Sequence, residues 1–229
     1  MTKRGIAALS LLAVAVVAVL IVVFLMRSSS EPEPDPPPIY VIALDAGHGG
    51  RDPGAVVDDV LEKDLNFEIV GRLQALIDAE PNLVAKLTRT LDIFVSLADR
   101  IRIAEEAGAV IYVSVHVNSY TDADPSGVET IVDDTRPLDD DSLVLAELIQ
   151  DNVVAATGAR DRGTRRRESY LQRTEIPAVS VEVGYLTNPD ERAKLLNPEY
   201  QQVIAEGILQ GIRQFLEWKY PTPTASGKQ

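Results

Sequence analysis

The chain has 229 residues, 45% of them hydrophobic, which suffices for one good-sized core but not for two large domains. It contains no cysteine, so disulfides, thiolate metal sites, a cysteine nucleophile and lipid attachment through an N-terminal cysteine are all excluded. The formal net charge is −13, and residues 1–27 contain three basic side chains and no acid, so the rest of the chain is more acidic still. We therefore expect no nucleic-acid partner.

The N-terminal segment, residues 1–27, differs in kind from the rest. After Lys3 and Arg4 an uncharged apolar run of 21 residues extends from Ile6 to Met26, and at about 1.5 Å per residue it is long enough to cross a hydrocarbon core of about 30 Å. The basic flank favours a cytoplasmic N-terminus, and the lack of a small-x-small cleavage site favours an uncleaved transmembrane anchor over a signal peptide. We expect a single-pass membrane protein, with secretion after cleavage as the alternative.

Two further segments are predicted to lie outside the folded domain. Residues 28–38 hold five prolines and three acids, which is typical of a stiff, extended linker. Residues 219–229 have the composition of a flexible tail. The folded domain is therefore expected at residues 39–218, held on the outer side of the membrane by the anchor.

From residue 39 onward, short apolar runs alternate with segments of helical period. This pattern predicts a single α/β domain with a mixed, mostly parallel sheet flanked by helices. The predicted strands lie near 39–45, 84–88, 110–116, 128–132 and 178–183, and the predicted helices near 62–79, 94–107, 142–157 and 199–217. Gly108 and Gly158 stand where glycines that end helices are expected.

Three ionisable residues, His48, His116 and Glu182, follow or end predicted strands, at the edge where open α/β sheets build their sites. The two histidines are the only ones in the chain. Glu62 begins the helix after the glycine-rich loop of His48, so its carboxylate can point back toward that loop. Two imidazoles and one carboxylate are the ligand set of a catalytic zinc site with an open fourth position.

Each of these residues also has an ordinary structural explanation. A histidine at a strand end commonly bonds backbone and solvent, and Glu62 is also explained as a first-turn acid that favours the helix dipole. Glu182 is alternatively a solvent-facing carboxylate, although its valine-rich surroundings predict a buried strand in which an unpaired acid is costly. The His-x13-Glu-x53-His spacing is not the compact H-E-x-x-H motif of many zinc proteases.

Longer sequence motifs are more specific than the spacing of these three residues. They are, in chain order, LDAGHGGRDPGA (44–55), EKDLN (62–66), LTRTLD (87–92), LADR (97–100), SVHVNS (114–119), GVET (127–130), DRG (161–163) and IPAVSVEVGYLTN (176–188). This ordered set resembles the zinc-dependent N-acetylmuramoyl-L-alanine amidases, the type 3 amidases that cut bacterial peptidoglycan. The resemblance covers about residues 39–217, whereas the Gly-His-Gly-Gly run alone would equally suit a phosphate-binding loop.

The resemblance implies that His48, Glu62 and His116 bind one Zn²⁺ per chain and that Glu182 is the catalytic acid/base. It implies hydrolysis of the amide bond between the lactyl group of N-acetylmuramic acid and L-alanine of the stem peptide. Water activated by zinc would attack the carbonyl, and Glu182 would pass its proton to the leaving amine. A non-catalytic peptidoglycan-binding or regulatory module and a zinc peptidase of the same geometry are the alternatives.

Several polar residues near these motifs have two explanations of equal weight: they orient the ligands or they cap turns. They are Asp45, Asn66, Arg89, Asn118 and Ser119. A basic cluster, with arginines at 162, 165, 166 and 167, either meets stem-peptide carboxylates or lies exposed on a hairpin, which is the commoner situation.

Some members of the family carry an inserted helix that plugs the zinc site until a partner removes it, and the resemblance places such an insertion between Val128 and Asp161. The segment 142–157 instead has the amphipathic pattern of a helix that packs on the sheet. We therefore predict a site without built-in occlusion, and the sequence identifies no protein activator.

Overall fold

The computed structural model describes residues 15–24 and 37–221. Residues 15–24 are helical (α1) and their side chains are exposed. No helix among the described residues has both the length and the apolar character needed to cross a bilayer. The rest of the anchor predicted at 1–27, most of the linker predicted at 28–38 and most of the tail predicted at 219–229 lie outside the described residues.

A compact unit begins at Ile39 and contains eight strands. They are β1 (Tyr40–Ala46), β2 (Val56–Val57), β3 (Val60–Leu61), β4 (Leu83–Leu87), β5 (Ile111–Asn118), β6 (Val128–Asp133), β7 (Asp161–Arg167) and β8 (Ala178–Tyr185). Six of them form one sheet in the order β4-β1-β5-β8-β6-β7, while β2 and β3 pair separately. Within the six-stranded sheet only β6 and β8 are antiparallel. The predicted α/β domain with a mostly parallel sheet is confirmed.

Five helices accompany the strands of this unit. They are α2 (Glu62–Asp78), α3 (Leu97–Glu106), α4 (Asp141–Thr157), α5 (Pro189–Leu195) and α6 (Pro198–Lys219), with a 3₁₀ turn at Tyr170–Arg173. All five predicted strands and all four predicted helices are present within three residues of the predicted bounds. Helix α3 begins later than predicted because the side chain of Ser96 accepts a hydrogen bond from the backbone of Asp99 and caps it there. Both Gly108 and Gly158 adopt the left-handed conformation just after a helix, as predicted.

Besides the two-residue strands β2 and β3 and the 3₁₀ turn, two longer elements were not predicted, and both lack the pattern on which the prediction depends. Strand β7 has the sequence DRGTRRR, which contains no apolar alternation. Helix α5 has only seven residues, too few to show a helical period, and is marked instead by Asn188, whose side chain caps its first turn.

The sheet has two unlike faces because successive side chains of a strand point in opposite directions. On the helix-covered face, side chains such as Val115 and Val181 join the main core, which includes Ile69 of α2, Ile149 of α4 and Phe215 of α6. Packing of α4 on this face follows the amphipathic pattern of its sequence. The opposite face, here called the site face, packs a smaller core against α3 and then becomes polar toward the carboxyl ends of β1, β5 and β8.

Candidate metal centre and active site

The glycine-rich loop after β1 brings His48 over the end of the sheet. His48 has a φ of 63°, which is uncommon for a residue with a side chain and concentrates at functional sites. A Cβ on Gly47 would lie 2.2 Å from the ring of His116, and one on Gly54 would lie 2.5 Å from a carboxylate oxygen of Glu62. Both positions therefore require glycine, because the loop packs directly against the two other candidate ligands.

His48, Glu62 and His116 meet at one point, as the sequence predicted. Glu62 Oε1 lies 3.2 Å from Nε2 of His48 and 3.0 Å from Nδ1 of His116, and one ligand atom from each residue lies within 4.8 Å of the others. Ligand atoms about 2.0–2.2 Å from a tetrahedral zinc ion stand about 3.3 Å apart. Donor chemistry and spacing thus fit a metal ion bound by two imidazoles and a carboxylate.

Neighbouring groups hold two of these side chains in place. The backbone N–H of Ala55 donates to Oε2 of Glu62 at 2.8 Å, and that of Val117 donates to Oε1 at 3.3 Å. Nδ1 of His48 lies 2.9 Å from Oδ2 of Asp52. When that nitrogen carries the proton and donates to Asp52, the lone pair of the other ring nitrogen faces the cluster, as a metal ligand requires.

Two buried arginines fix the loop through its backbone carbonyls. Arg100 donates to the carbonyl oxygens of Ala46 and His48 at 2.9 and 2.6 Å, and Arg89 donates to that of Ala46 at 2.9 Å. The buried carboxylate of Asp45 pairs with Arg100. Asp45 and Arg89 therefore act on His48 through the loop rather than by contact with a candidate ligand.

The structure also distinguishes the two explanations, orienting a ligand or capping a turn, for Asn66, Asn118 and Ser119. Asn66 contacts the cluster, since its amide donates to Glu62 Oε1 at 3.3 Å and to the carbonyl of Gly47 at 3.2 Å. Asn118 instead donates to Glu129 at 3.0 Å, and Ser119 makes a turn through its backbone N–H, which bonds the Asn118 side chain. Only Asn66 is a direct neighbour of a candidate metal ligand.

Charge coupling within the cluster is strong. Burial disfavours the charged form of His48, but the carboxylates of Glu62 and Asp52 together outweigh it and raise the pKa of His48 to about 9. Burial likewise disfavours ionised Glu62, but hydrogen bonds and charge from His116 and His48 lower its pKa well below the usual range. Protons and metal ions therefore compete for the imidazoles, so metal affinity falls as the pH falls.

Glu182 stands beside the cluster. It is the register partner of His116 across β5 and β8 and of Glu129 across β6 and β8, so all three share the site face. Burial raises the pKa of Glu182 to about 7, with Glu62 and Glu129 acting in the same direction and His116 and Arg167 opposing it. A carboxyl group that titrates near neutral pH can both accept and return a proton.

The sequence did not single out Asp52 or Glu129. Asp52 had a detectable signal, because it follows His48 by four residues within one loop. Glu129 lies in the Gly-Val-Glu-Thr motif but contacts no candidate ligand; it is buried and pairs with Arg162 and Arg167. That pairing depends on β7, which the sequence did not predict.

Comparison with known proteins agrees with this geometry. Residues 42–214 match the family model described as N-acetylmuramoyl-L-alanine amidase. The chain is 35% identical over 171 residues to the N-acetylmuramoyl-L-alanine amidase LytC of Bacillus subtilis, a match that covers 74% of this chain but only 34% of LytC.

Solved structures show the same likeness. The N-acetylmuramoyl-L-alanine amidase of Clostridium difficile 630 superposes with a TM-score of 0.76 at 33% identity, covering 80% of this chain and 100% of that one. The CwlD amidase of Clostridioides difficile, solved in complex with the GerS lipoprotein, superposes with a TM-score of 0.70 at 30% identity, covering 78% and 99%.

Proposed function

Since the chain belongs to the family of N-acetylmuramoyl-L-alanine amidases, we propose that His48, Glu62 and His116 bind one Zn²⁺ and that Glu182 moves the proton during hydrolysis. The enzyme cleaves the amide bond between the lactyl group of N-acetylmuramic acid and L-alanine of the peptidoglycan stem peptide. One observation carries the proposal: three ligand atoms of the right chemistry lie within 4.8 Å of one another, beside a carboxyl group on the neighbouring strand.

The residues around the cluster match what such a site needs. A bound Zn²⁺ supplies a Lewis acid for the scissile carbonyl and lowers the pKa of water to about 7. Asp52 selects the ring nitrogen that His48 presents, and the backbone N–H groups of Ala55 and Val117 orient the carboxylate of Glu62. Partners of this kind commonly change metal affinity or activity by about 10–100-fold when they are removed.

Glu182 carries the proton from water to the leaving group. The oxygen of water forms a bond to the lactyl carbonyl carbon while one of its protons passes to the Glu182 carboxylate. The carbon–nitrogen bond then breaks, and Glu182 returns that proton to the alanine nitrogen, which leaves as a free amine. The other product is a lactyl carboxylic acid on the glycan. Placement of Glu182 next to His116, with a pKa raised to about 7, supports both halves of this transfer.

We also propose that the apolar segment Ile6–Met26 tethers the enzyme to the membrane, with the catalytic domain outside the cell. The uncharged run of 21 residues, its basic N-terminal flank and an extracytoplasmic substrate support this. Fractionation of cells that express the full chain tests it. Recovery in the membrane fraction supports a tether, and a free, shortened form in the medium contradicts it.

Mass spectrometry of the products released from purified peptidoglycan tests the catalytic proposal. The full-length chain is incubated with zinc, with a chelator, and as the Glu182→Gln variant. We expect free peptides that begin at L-alanine, lost on chelation and in the variant, and restored when zinc is returned to the chelated protein.

Other products would point elsewhere. Peptides cut internally would indicate a zinc peptidase, and tight wall binding without any release would indicate a non-catalytic module. Release that persists after complete removal of the metal would contradict the roles given to His48, Glu62 and His116.

A further inference from the structure

A groove of about 780 Å³ opens on the side of Glu182 that faces β6 and β7. We call it the arginine groove; its polar lining includes Asn118, Glu129, Arg162, Arg165, Arg167 and Tyr185. Glu129, in its wall, is the register partner of Glu182, so the groove lies one strand away from the proposed catalytic carboxylate. Its volume is within the range of sites for small ligands, about 300–1,000 Å³.

A bulge in β7 turns the three arginines to one side. Val128 pairs with Asp161 and Thr130 with Thr164, so β7 has one extra residue in this interval. Gly163 lies in it with a φ of 75°, a conformation that glycine adopts without strain. Because the extra residue reverses the alternation, arginines on both sides of the bulge line the groove.

Arg166 differs from the other arginines of β7. Its guanidinium donates to the backbone carbonyls of Asp134 and Arg136 at 2.8 and 2.6 Å, and it is absent from the groove lining. The basic cluster of the sequence is thus divided by the fold into one arginine that supports a turn and three that line the groove.

The groove arginines have more positive charge than their partners neutralise. The single carboxylate of Glu129 pairs with both Arg162, at 3.2 Å, and Arg167. Arg165 and Arg160, which also lines the groove, are both exposed and form no ion pair with any residue in the part of the chain that the structure describes. Of the two, only Arg165 lies on β7. Asp122 and Asp124 also line the groove but form no ion pair with these arginines. Arg165 therefore presents a free guanidinium in a chain whose net charge is −13.

The two halves of the substrate also differ in charge. In uncut peptidoglycan the lactyl carboxyl is the acyl group of the scissile amide, so the glycan half has no carboxylate there. The stem peptide carries free carboxylates, which guanidinium groups bind with paired hydrogen bonds. A second groove, of about 360 Å³, includes His48 and His116 in its lining. Its wall also contains Asp52 and Arg100, but its surface is largely apolar and is formed mainly by Phe94, Val95, Leu97 and Tyr170.

We propose that the arginine groove binds the peptide half of the substrate and that Arg165 pairs with a peptide carboxylate close to the scissile bond. The neutral glycan half then extends along the groove that contains Phe94 and Tyr170. This assignment rests on the proposed function, since it takes the scissile amide to lie between the metal cluster and Glu182. It makes Arg165 a residue that determines specificity.

Calorimetry with a free peptide tests the assignment without requiring hydrolysis. The full-length chain is titrated with L-Ala-γ-D-Glu-L-Lys and with the same tripeptide in which the glutamate α-carboxylate is an amide. We expect the wild type to bind the acid about tenfold more tightly than the amide, the size of a charge-assisted hydrogen bond pair. Arg165→Ala should lose this preference while its affinity for the amide changes less than twofold.

Two further variants complete the test. Arg165→Lys keeps the charge without the paired donors and should keep only part of the preference. Arg213→Ala is the matched control, because Arg213 is a similarly exposed arginine on α6, which packs on the helix-covered face. It should bind both peptides as the wild type does.

Three results would overturn the assignment: a wild type that binds both tripeptides equally, one that binds neither, or an Arg165→Ala variant that keeps the preference. The peptidoglycan digestion separates this failure from failure of the proposed function. Normal release of stem peptides with no acid preference rejects the groove alone, whereas an acid preference without release rejects the hydrolytic role alone.

Discussion

The two faces of the six-stranded sheet come from the same strands but do opposite things. On β8, Val181 points into the helix-covered core and is fully buried, while Glu182, the next residue, lies on the site face beside His116. On β5, Val115 and His116 divide in the same way. Strand alternation thus lets one segment stabilise the domain on one side and carry chemistry on the other, so neighbouring residues should respond to substitution in unlike ways.

The largest expected effect is on the site face. Glu182→Gln keeps the shape of the side chain but cannot move a proton, so hydrolysis should fall by about 10²–10⁴-fold. Unfolding temperature should stay equal or rise, because the change removes a carboxyl group whose ionisation is opposed by burial. Product release and thermal unfolding measured on the same preparation check both halves. A large loss of stability together with activity would show that the two faces are not separable.

On the helix-covered face the reverse is expected. Phe215→Ala on α6 removes a fully buried aromatic ring from the main core and should lower the free energy of unfolding by about 3–5 kcal/mol. Zinc content and activity per folded molecule should not change, because no atom of the cluster contacts this ring. Denaturant unfolding and metal analysis test this. Loss of the metal from protein that is still folded would contradict the separation.

Asp45 contributes both to the stability of the fold and to the position of His48, because it is fully buried and lies under the loop that carries His48. Burial raises its pKa, but Arg100 and hydrogen bonds from Thr88 and Ser114 outweigh this and hold the pKa of Asp45 below its ordinary value. A depressed carboxyl pKa stabilises the fold above the unfolded pKa of about 3.9, and that stability is lost as the pH falls through the folded pKa.

Asp45→Asn should therefore cost about 3 kcal/mol at pH 7, since it leaves Arg100 buried without its partner. The cost should shrink below about pH 4, where the wild type loses the same contribution. Unfolding free energies of both proteins between pH 3 and 7 measure the difference. A cost that does not depend on pH would show that the ion pair is not its source.

The smallest expected effect is local. Gly158 ends α4 with a φ of 63°, and a Cβ there would meet no other atom within 4 Å. Gly158→Ala should therefore cost only the conformational strain, about 1 kcal/mol. Gly47→Ala should cost more than this, because a Cβ at Gly47 would clash with the ring of His116 and displace a candidate ligand. Thermal unfolding of both variants, with metal analysis, distinguishes strain from a disrupted site.

Much of the fold and the candidate ligands could be predicted because they depend on local pattern. Alternation and helical period located nine elements, and both histidines and Glu182 fell at strand ends where sites form. Strand β7 was not predicted, because its pairing with β6 is decided by neighbouring segments and not by its own charged sequence. Asp52 and Glu129 were not predicted as site residues, because their roles depend on contacts that form only in the folded protein.

The sequence by itself limited the kind of metal site that this chain can build, since two histidines and no cysteine offer imidazole and carboxylate ligands but no thiolate, and the order of its motifs indicated one family. Only the tertiary structure decided what surrounds that site. The antiparallel pairing of β6 with β8 places Glu129 beside Glu182, and the bulge at Gly163 turns Arg165 into the groove. Both depend on which strands pair and in what register, and neither can be read from one strand alone, because pairing joins segments that are far apart in the chain.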